Sequence, residues 1–94
     1  AERVRWLFEV KSGVSLGEIY TGLGQLLYHS THVRAHEQVE RILVVPRELD
    51  STVMGRIRKA GIRLLPFKPT RRGFAFDGLE ELVQEIRTTL QEDR

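Results

Sequence analysis

Glu9 and Lys11 stand two residues apart in the stretch Trp6-Leu7-Phe8-Glu9-Val10-Lys11. In an extended chain that spacing puts both side chains on one face, about 7 Å apart along the backbone. The carboxylate can hold a divalent cation through hard oxygen atoms. The ammonium can orient a water or offset charge that builds on a phosphate. Such a pair suits hydrolysis of a phosphodiester. A solvated strand face carries the same residue types, so the pair acquires meaning only from the elements around it.

Those elements begin with the pair's own strand. From Arg3 to Lys11 the residues alternate as a half-buried strand requires, with Val4, Trp6, Phe8 and Val10 on one face. Ser12 and Gly13 turn the chain, and Ser15 with Glu18 reads as a capping box that opens a helix. Leu16, Ile19, Tyr20, Leu23, Leu26 and Leu27 follow helical spacing as a single stripe, and the helix is expected to end near Ser30. Thr21, Gln25 and Tyr28 fall off that stripe, so Gln25 is not spent on the core. Gly22 and Gly24 each cost the helix roughly 1 kcal/mol relative to alanine. Close approach to a neighbouring strand or to a substrate phosphate would offset that cost.

Further along, Thr31–Gln38 is polar and reads as a loop. Arg41–Val45 is a continuous apolar run closed by Pro46, the pattern of a strand buried on both faces. A second helix is capped by Asp50 or Ser51 and stopped at Gly61, with Val53, Met54, Ile57 and Ala60 inward. Ile62–Phe67 forms a strand in which Pro66 marks an edge or an end, and Phe74–Phe76 pairs back across the turn at 70–73. Asp77 and Glu80 suggest another capping box, ahead of a helix with the stripe Leu79, Leu82, Val83, Ile86 and Leu90. The predicted order is β-α-β-α-β-β-α, a mixed sheet flanked by helices.

Composition frames these elements. Ninety-four residues are enough for one small domain, here the whole of 1–94. The absence of cysteine excludes disulfides, thiolate nucleophiles and cysteine zinc sites, and fits a reducing, cytoplasmic setting. No apolar run approaches a membrane span and no signal-peptide layout opens the chain, so no membrane partner is expected. A net charge of +2 is too small to argue for a polyanion partner, but its distribution is uneven. Arg56, Arg58, Lys59, Arg63, Lys68, Arg71 and Arg72 follow one another with no acid between them. That run could line a nucleic-acid groove or be solvated surface.

The Glu-x-Lys strand, the capped helix with Gly-Gln-Leu-Leu-x-His, the buried strand ending in proline and the basic helix together resemble the PD-(D/E)XK nuclease superfamily. The resemblance is greatest to members with a glutamine and a tyrosine on the helix after the catalytic strand, and it spans roughly Trp6 to Phe67. It implies a restriction-endonuclease-like fold and a Mg2+- or Mn2+-dependent endonuclease acting on DNA by in-line attack of an ion-activated water on phosphorus. Glu9 matches the metal-binding carboxylate, the backbone carbonyl of Val10 a further metal ligand, and Lys11 the catalytic lysine. Gln25 matches the glutamine that helps order the site. The family's tyrosine lies four residues after that glutamine, whereas Tyr28 lies three after it.

The family also has an N-terminal helix and first strands, with a further metal-binding aspartate, before the Glu-x-Lys strand. Here eight residues precede Glu9, and the acid among them is Glu2, roughly 20 Å or more away if it shares the strand. Three alternatives stay open. The chain is a fragment whose second acid comes from an upstream domain or a homodimer partner, or the carboxylate has moved to Glu18. Otherwise the module has lost cleavage and binds nucleic acid or protein without catalysis.

Other constellations carry less. His32 and His36 have the i, i+4 spacing of helical metal ligands and His29 lies close by, but at a helix end and loop. His29 could instead face the cleft beside Gln25 as an acid/base or phosphate contact. Ser12, His29 and Asp50 can be written as a triad, though no nucleophile elbow supports it. Gly22-Leu23-Gly24 lies inside a helix and is no phosphate loop.

Overall fold

A computed structural model describes residues 3–32 and 37–92. The elements are β1 (Arg3–Val10), α1 (Leu16–Ser30), β2 (Glu37–Pro46), α2 (Ser51–Lys59), β3 (Arg63–Thr70), β4 (Gly73–Phe76) and α3 (Leu79–Glu92). They build a small α/β domain around a four-stranded sheet in the order β1-β2-β3-β4. β1, β2 and β3 run parallel, and β4 returns antiparallel to β3. Both parallel crossovers step in one direction, so a common hand puts α1 and α2 on one face. Ile19 and Leu26 of α1 and Met54 and Ile57 of α2 accordingly share a cluster with Leu43, Val45 and Leu64. On the other face α3 brings Leu82 and Ile86 against Ile42, Val44 and Leu65. The run Ile42–Val45 is therefore buried on both faces, as its unbroken apolarity requires.

Local signals hold at most helix ends. The Ser15 hydroxyl accepts the Glu18 N–H at 3.2 Å. Asp50 accepts from Thr52 and Val53 at 2.9 and 3.1 Å. Gly61 leaves α2 with φ of 82°, a conformation that favours glycine. The third helix differs. Asp77 forms no cap; its carboxylate takes a two-pronged bond from Arg47, with Nε to Oδ2 at 2.9 Å. That fork ties the start of α3 to the end of β2. Pro66 marks neither an edge nor an end, because β3 is an inner strand that runs on to Thr70. Its missing N–H falls on the β4 side and not in the ladder with β2. The Pro66 carbonyl faces the β4 side, where it accepts from Asp77 N–H at 2.8 Å beyond the last β3–β4 pair.

The buried arc of α1 is rotated from the expected stripe. Ile19, Gly22 and Leu26 are buried, whereas Leu16, Tyr20 and Leu27 are more than half exposed. Gly22 is the cause. A Cβ there would lie 3.0 Å from Leu43 Cδ1 and 3.1 Å from Lys11 Cγ. The missing side chain lets the helix backbone settle onto β1 and β2. Gly24 has nothing within 4 Å of the corresponding position, so it makes no close approach. Gly24→Ala is expected to stabilise the fold by about 1 kcal/mol through helix propensity. Gly22→Val is expected to cost about 1–3 kcal/mol through overpacking against the fully buried Leu43. Thermal unfolding of the two variants checks the opposite signs. On α3 the predicted stripe also narrows: Leu82 is buried and Ile86 half-buried, but Leu79, Val83 and Leu90 are exposed.

No helix among the described residues is long and apolar enough to cross a membrane.

Candidate functional site

Lys11 sits one residue beyond β1, and its N–H donates to the Val44 carbonyl at 2.9 Å, which keeps it in line with the sheet. Its ammonium lies 3.5 Å from Glu9 Oε1. The two side chains are only 19% and 20% exposed, so the pair is not an ordinary solvated strand face. Both point toward the face that α1 covers, as Leu7 on the same side of the strand packs in the α1–α2 cluster. Gly22 provides the floor under Lys11. The close approach expected of a helix glycine is made to this very side chain: a Cβ on Gly22 would lie 3.1 Å from Lys11 Cγ and 3.2 Å from Cε.

Helical spacing assigns the neighbours. Residues 18, 22, 25 and 29 recur at intervals of four, three and four, and so form one row along α1. Gly22 in that row lies over Lys11, which puts Glu18, Gln25 and His29 along the β1 flank of the helix. The opposite flank, with Leu16, Tyr20 and Leu23, lines a hollow of about 260 Å³ against Val53 and Ile57 of α2. Gln25 is half-buried, and its Oε1 is buried with no hydrogen-bond partner among the described residues. An unpaired buried amide oxygen costs about 1–3 kcal/mol, which a water, a substrate donor or a cation would recover. Periodicity placed Gln25 off the leucine stripe; it could not show that the amide oxygen is enclosed.

The remaining candidates divide. Glu18 lies in the row, but its carboxylate occupies the space that a Cβ on Gly13 would take and accepts the Ser15 hydroxyl at 3.3 Å. It serves the cap. His29 and Tyr28 are exposed at the last turn of α1. Tyr28 packs edge-on against His29 and His32, with ring centroids 5.6 and 5.4 Å apart. By helical angle it lies about 60° from Gln25, turned outward from the sheet. Among the described residues no group of three His, Cys, Asp or Glu side chains could hold a metal ion. Glu2 and His36 lie outside the described residues.

Val10 shows a different face. Its side chain is exposed on the opposite side of the sheet. The Lys11 N–H points to β2, so across a trans peptide the Val10 carbonyl points away from β2, to the outer edge of the sheet. Among the described residues no strand takes that edge, so the carbonyl is not consumed in the ladder. Beside it, Val10, Val44, Phe67, Phe74 and Phe76 line an apolar hollow of about 260 Å³ on the α3 side. The aromatic alternation Phe74-Ala75-Phe76 was the one sequence signal for this hollow.

The basic run does not form one strip. Arg56, Arg58 and Lys59 end α2, which leads back to the start of β3 at the N-terminal end of the parallel strands. Arg71 and Arg72 occupy the β3–β4 turn. Val10, Val44 and Leu65 are level across the sheet, so that turn lies roughly 20 Å beyond them along β3, at the same end as Lys11. The broad groove along the outside of α3 is lined by Glu80, Glu81 and Glu85, whose charge disfavours a phosphate chain.

The chain matches no protein-family model, no curated protein and no solved structure.

Proposed function

We propose that Glu9, Lys11 and Gln25 form part of a Mg2+- or Mn2+-dependent site for hydrolysis of DNA phosphodiesters, on a restriction-endonuclease-like fold. The reading rests on one observation above the rest: Lys11 lies over a glycine floor, beside a mostly buried Glu9. The donors suit the ion, since the Glu9 carboxylate, the unspent Val10 carbonyl and the enclosed Gln25 amide oxygen are all hard oxygens. When bound, the ion would draw charge off the phosphate and acidify a water. Glu9 and Val10 would hold it. The Lys11 ammonium offsets charge developing on the phosphate, with no reorganisation at the moment of reaction. The Gln25 amide orients the attacking water or a phosphate oxygen.

A second reading has its own support: among the described residues Glu9 is the one carboxylate beside Lys11 that is not engaged in a helix cap. A module of the same fold that binds nucleic acid or protein without cutting needs no second acid. Metal-dependent cleavage separates the two.

DNA recognition has its own expected result. Affinity should fall steeply with salt, as counterion release requires, and the log–log slope should shrink by about 0.9 for each phosphate that a substitution leaves unneutralised. Arg71→Glu with Arg72→Glu should weaken binding to all sequences more than Arg58→Glu with Lys59→Glu, because only the former pair shares an end of the sheet with Lys11. Fluorescence anisotropy across a salt series measures both. Salt-independent binding, or binding indifferent to both double variants, would reduce the basic run to ordinary surface.

A further inference from the structure

The two edges of the sheet are unequal. β4 is a four-residue strand. β1 presents eight residues in unbroken register, with neither a proline nor a bulge. Proteins ordinarily blunt such an edge. Since the Lys11 N–H faces β2, the odd-numbered residues of β1 bond inward, and Val4, Trp6, Phe8 and Val10 turn their N–H and C=O groups outward. The side chains of Phe8 and Val10 on that strand are 48% and 62% exposed. Among the described residues nothing pairs with this edge.

We propose that the edge of β1 pairs antiparallel with β1 of a second copy of this chain, about a two-fold axis at Leu7. Charge and backbone parity select the occupant and the register. About that axis Val4 meets the partner's Val10, Trp6 meets the partner's Phe8, and each pair turns its backbone groups toward the other. On the opposite face Leu7 meets the partner's Leu7, and Arg5 meets the partner's Glu9. From Val4 to Val10 every apolar residue faces an apolar one and every charge faces its opposite. A two-fold at Trp6 would set Arg5 against a leucine, and one at Phe8 would set Glu9 against a leucine. Arg5 bonds Glu37 through Nε, which leaves its terminal nitrogens for the partner's carboxylate. The like-charged pair of Arg3 and the partner's Lys11 falls at the strand ends, where salt screens it and where Lys11 is held back by Glu9. The result is an isologous dimer in which two four-stranded sheets become one. Pairing gives the Val10 carbonyl to the partner's Val4 N–H and the Glu9 carboxylate to the partner's Arg5. The dimer and an ion held by Glu9 and Val10 therefore exclude one another, and the dimer stands or falls apart from the phosphodiesterase reading.

Sedimentation equilibrium tests it on the 94-residue chain. The unaltered chain should have twice the monomer mass. Arg5→Glu alone and Glu9→Arg alone each set like charges together twice, and each should sediment at the monomer mass with an unchanged circular dichroism spectrum. Mixed in equal amounts they should restore the dimer, because both cross-strand pairs become complementary again. Phe8→Pro, which removes only an outward N–H, should also give a monomer. A monomeric unaltered chain, a larger assembly, or a mixture that stays monomeric would overturn the proposal. Should either charge variant fail to fold, a dimeric Phe8→Pro would overturn it equally.

Discussion

Leu43→Ala is expected to lower the unfolding free energy by about 3–5 kcal/mol. Leu43 lies on the central parallel strand, is fully buried, and belongs to the cluster that joins β2 to α1 and α2. Its Cδ1 is also one of the atoms on which the α1 backbone rests at Gly22. Truncation would open a cavity that the glycine cannot fill. A domain of this size holds only about 5–15 kcal/mol in all, so the variant should be substantially unfolded by modest urea. Leu27→Ala, at a position 57% exposed, should change stability by less than about 0.5 kcal/mol. Urea titration with unchanged m values gives both numbers. Comparable costs would mean that α1 meets the sheet through the full leucine stripe and not through Gly22.

The second large effect concerns activity. Magnesium keeps most of its own waters, and one carboxylate with a backbone carbonyl holds it weakly. The 94-residue chain alone is therefore expected to cut supercoiled DNA little or not at all with Mg2+ or Mn2+. Cleavage should appear where an upstream segment or a partner brings a second carboxylate to Glu9. In that form Lys11→Ala should slow cleavage roughly 10²–10³-fold, the loss typical of one preorganised electrostatic donor. Robust cutting by the bare chain, abolished by Lys11→Ala, would point to Glu18 as the second ligand. Untouched activity of Lys11→Ala in the longer form would end the nuclease reading.

Much of this fold is written in short-range chemistry. Ser15 and Asp50 announce their helices because a hydroxyl or a carboxylate can satisfy free N–H groups only at a helix start. Ile42–Val45 announces a central strand because its apolar run needs cover on both faces. What periodicity could not supply is rotation. Leucine spacing pointed α1 at the sheet through Leu16, Tyr20 and Leu27, but contact is set by the absence of a side chain at Gly22, and hydrophobicity does not weigh an absence. Asp77 reads equally well as a cap or as an ion-pair partner, and only the distant Arg47 decides. At the site, the Glu9–Lys11 pair was legible because strand alternation is local. The enclosure of Gln25 Oε1 and the division of the basic run were not, because both depend on how α1, α2 and the β3–β4 turn lie around the sheet.

The central claim is that Glu9 and Val10 gather a divalent ion beside Lys11 and Gln25. Mn2+ titration followed by paramagnetic broadening of amide NMR signals reads this without requiring cleavage. Broadening should spread from Glu9, Val10 and Lys11 to Gly22 and Gln25, and Glu9→Gln should remove it while leaving the remaining spectrum in place. Broadening centred on Glu80, Glu81 and Glu85 of α3, and unmoved by Glu9→Gln, would contradict the account.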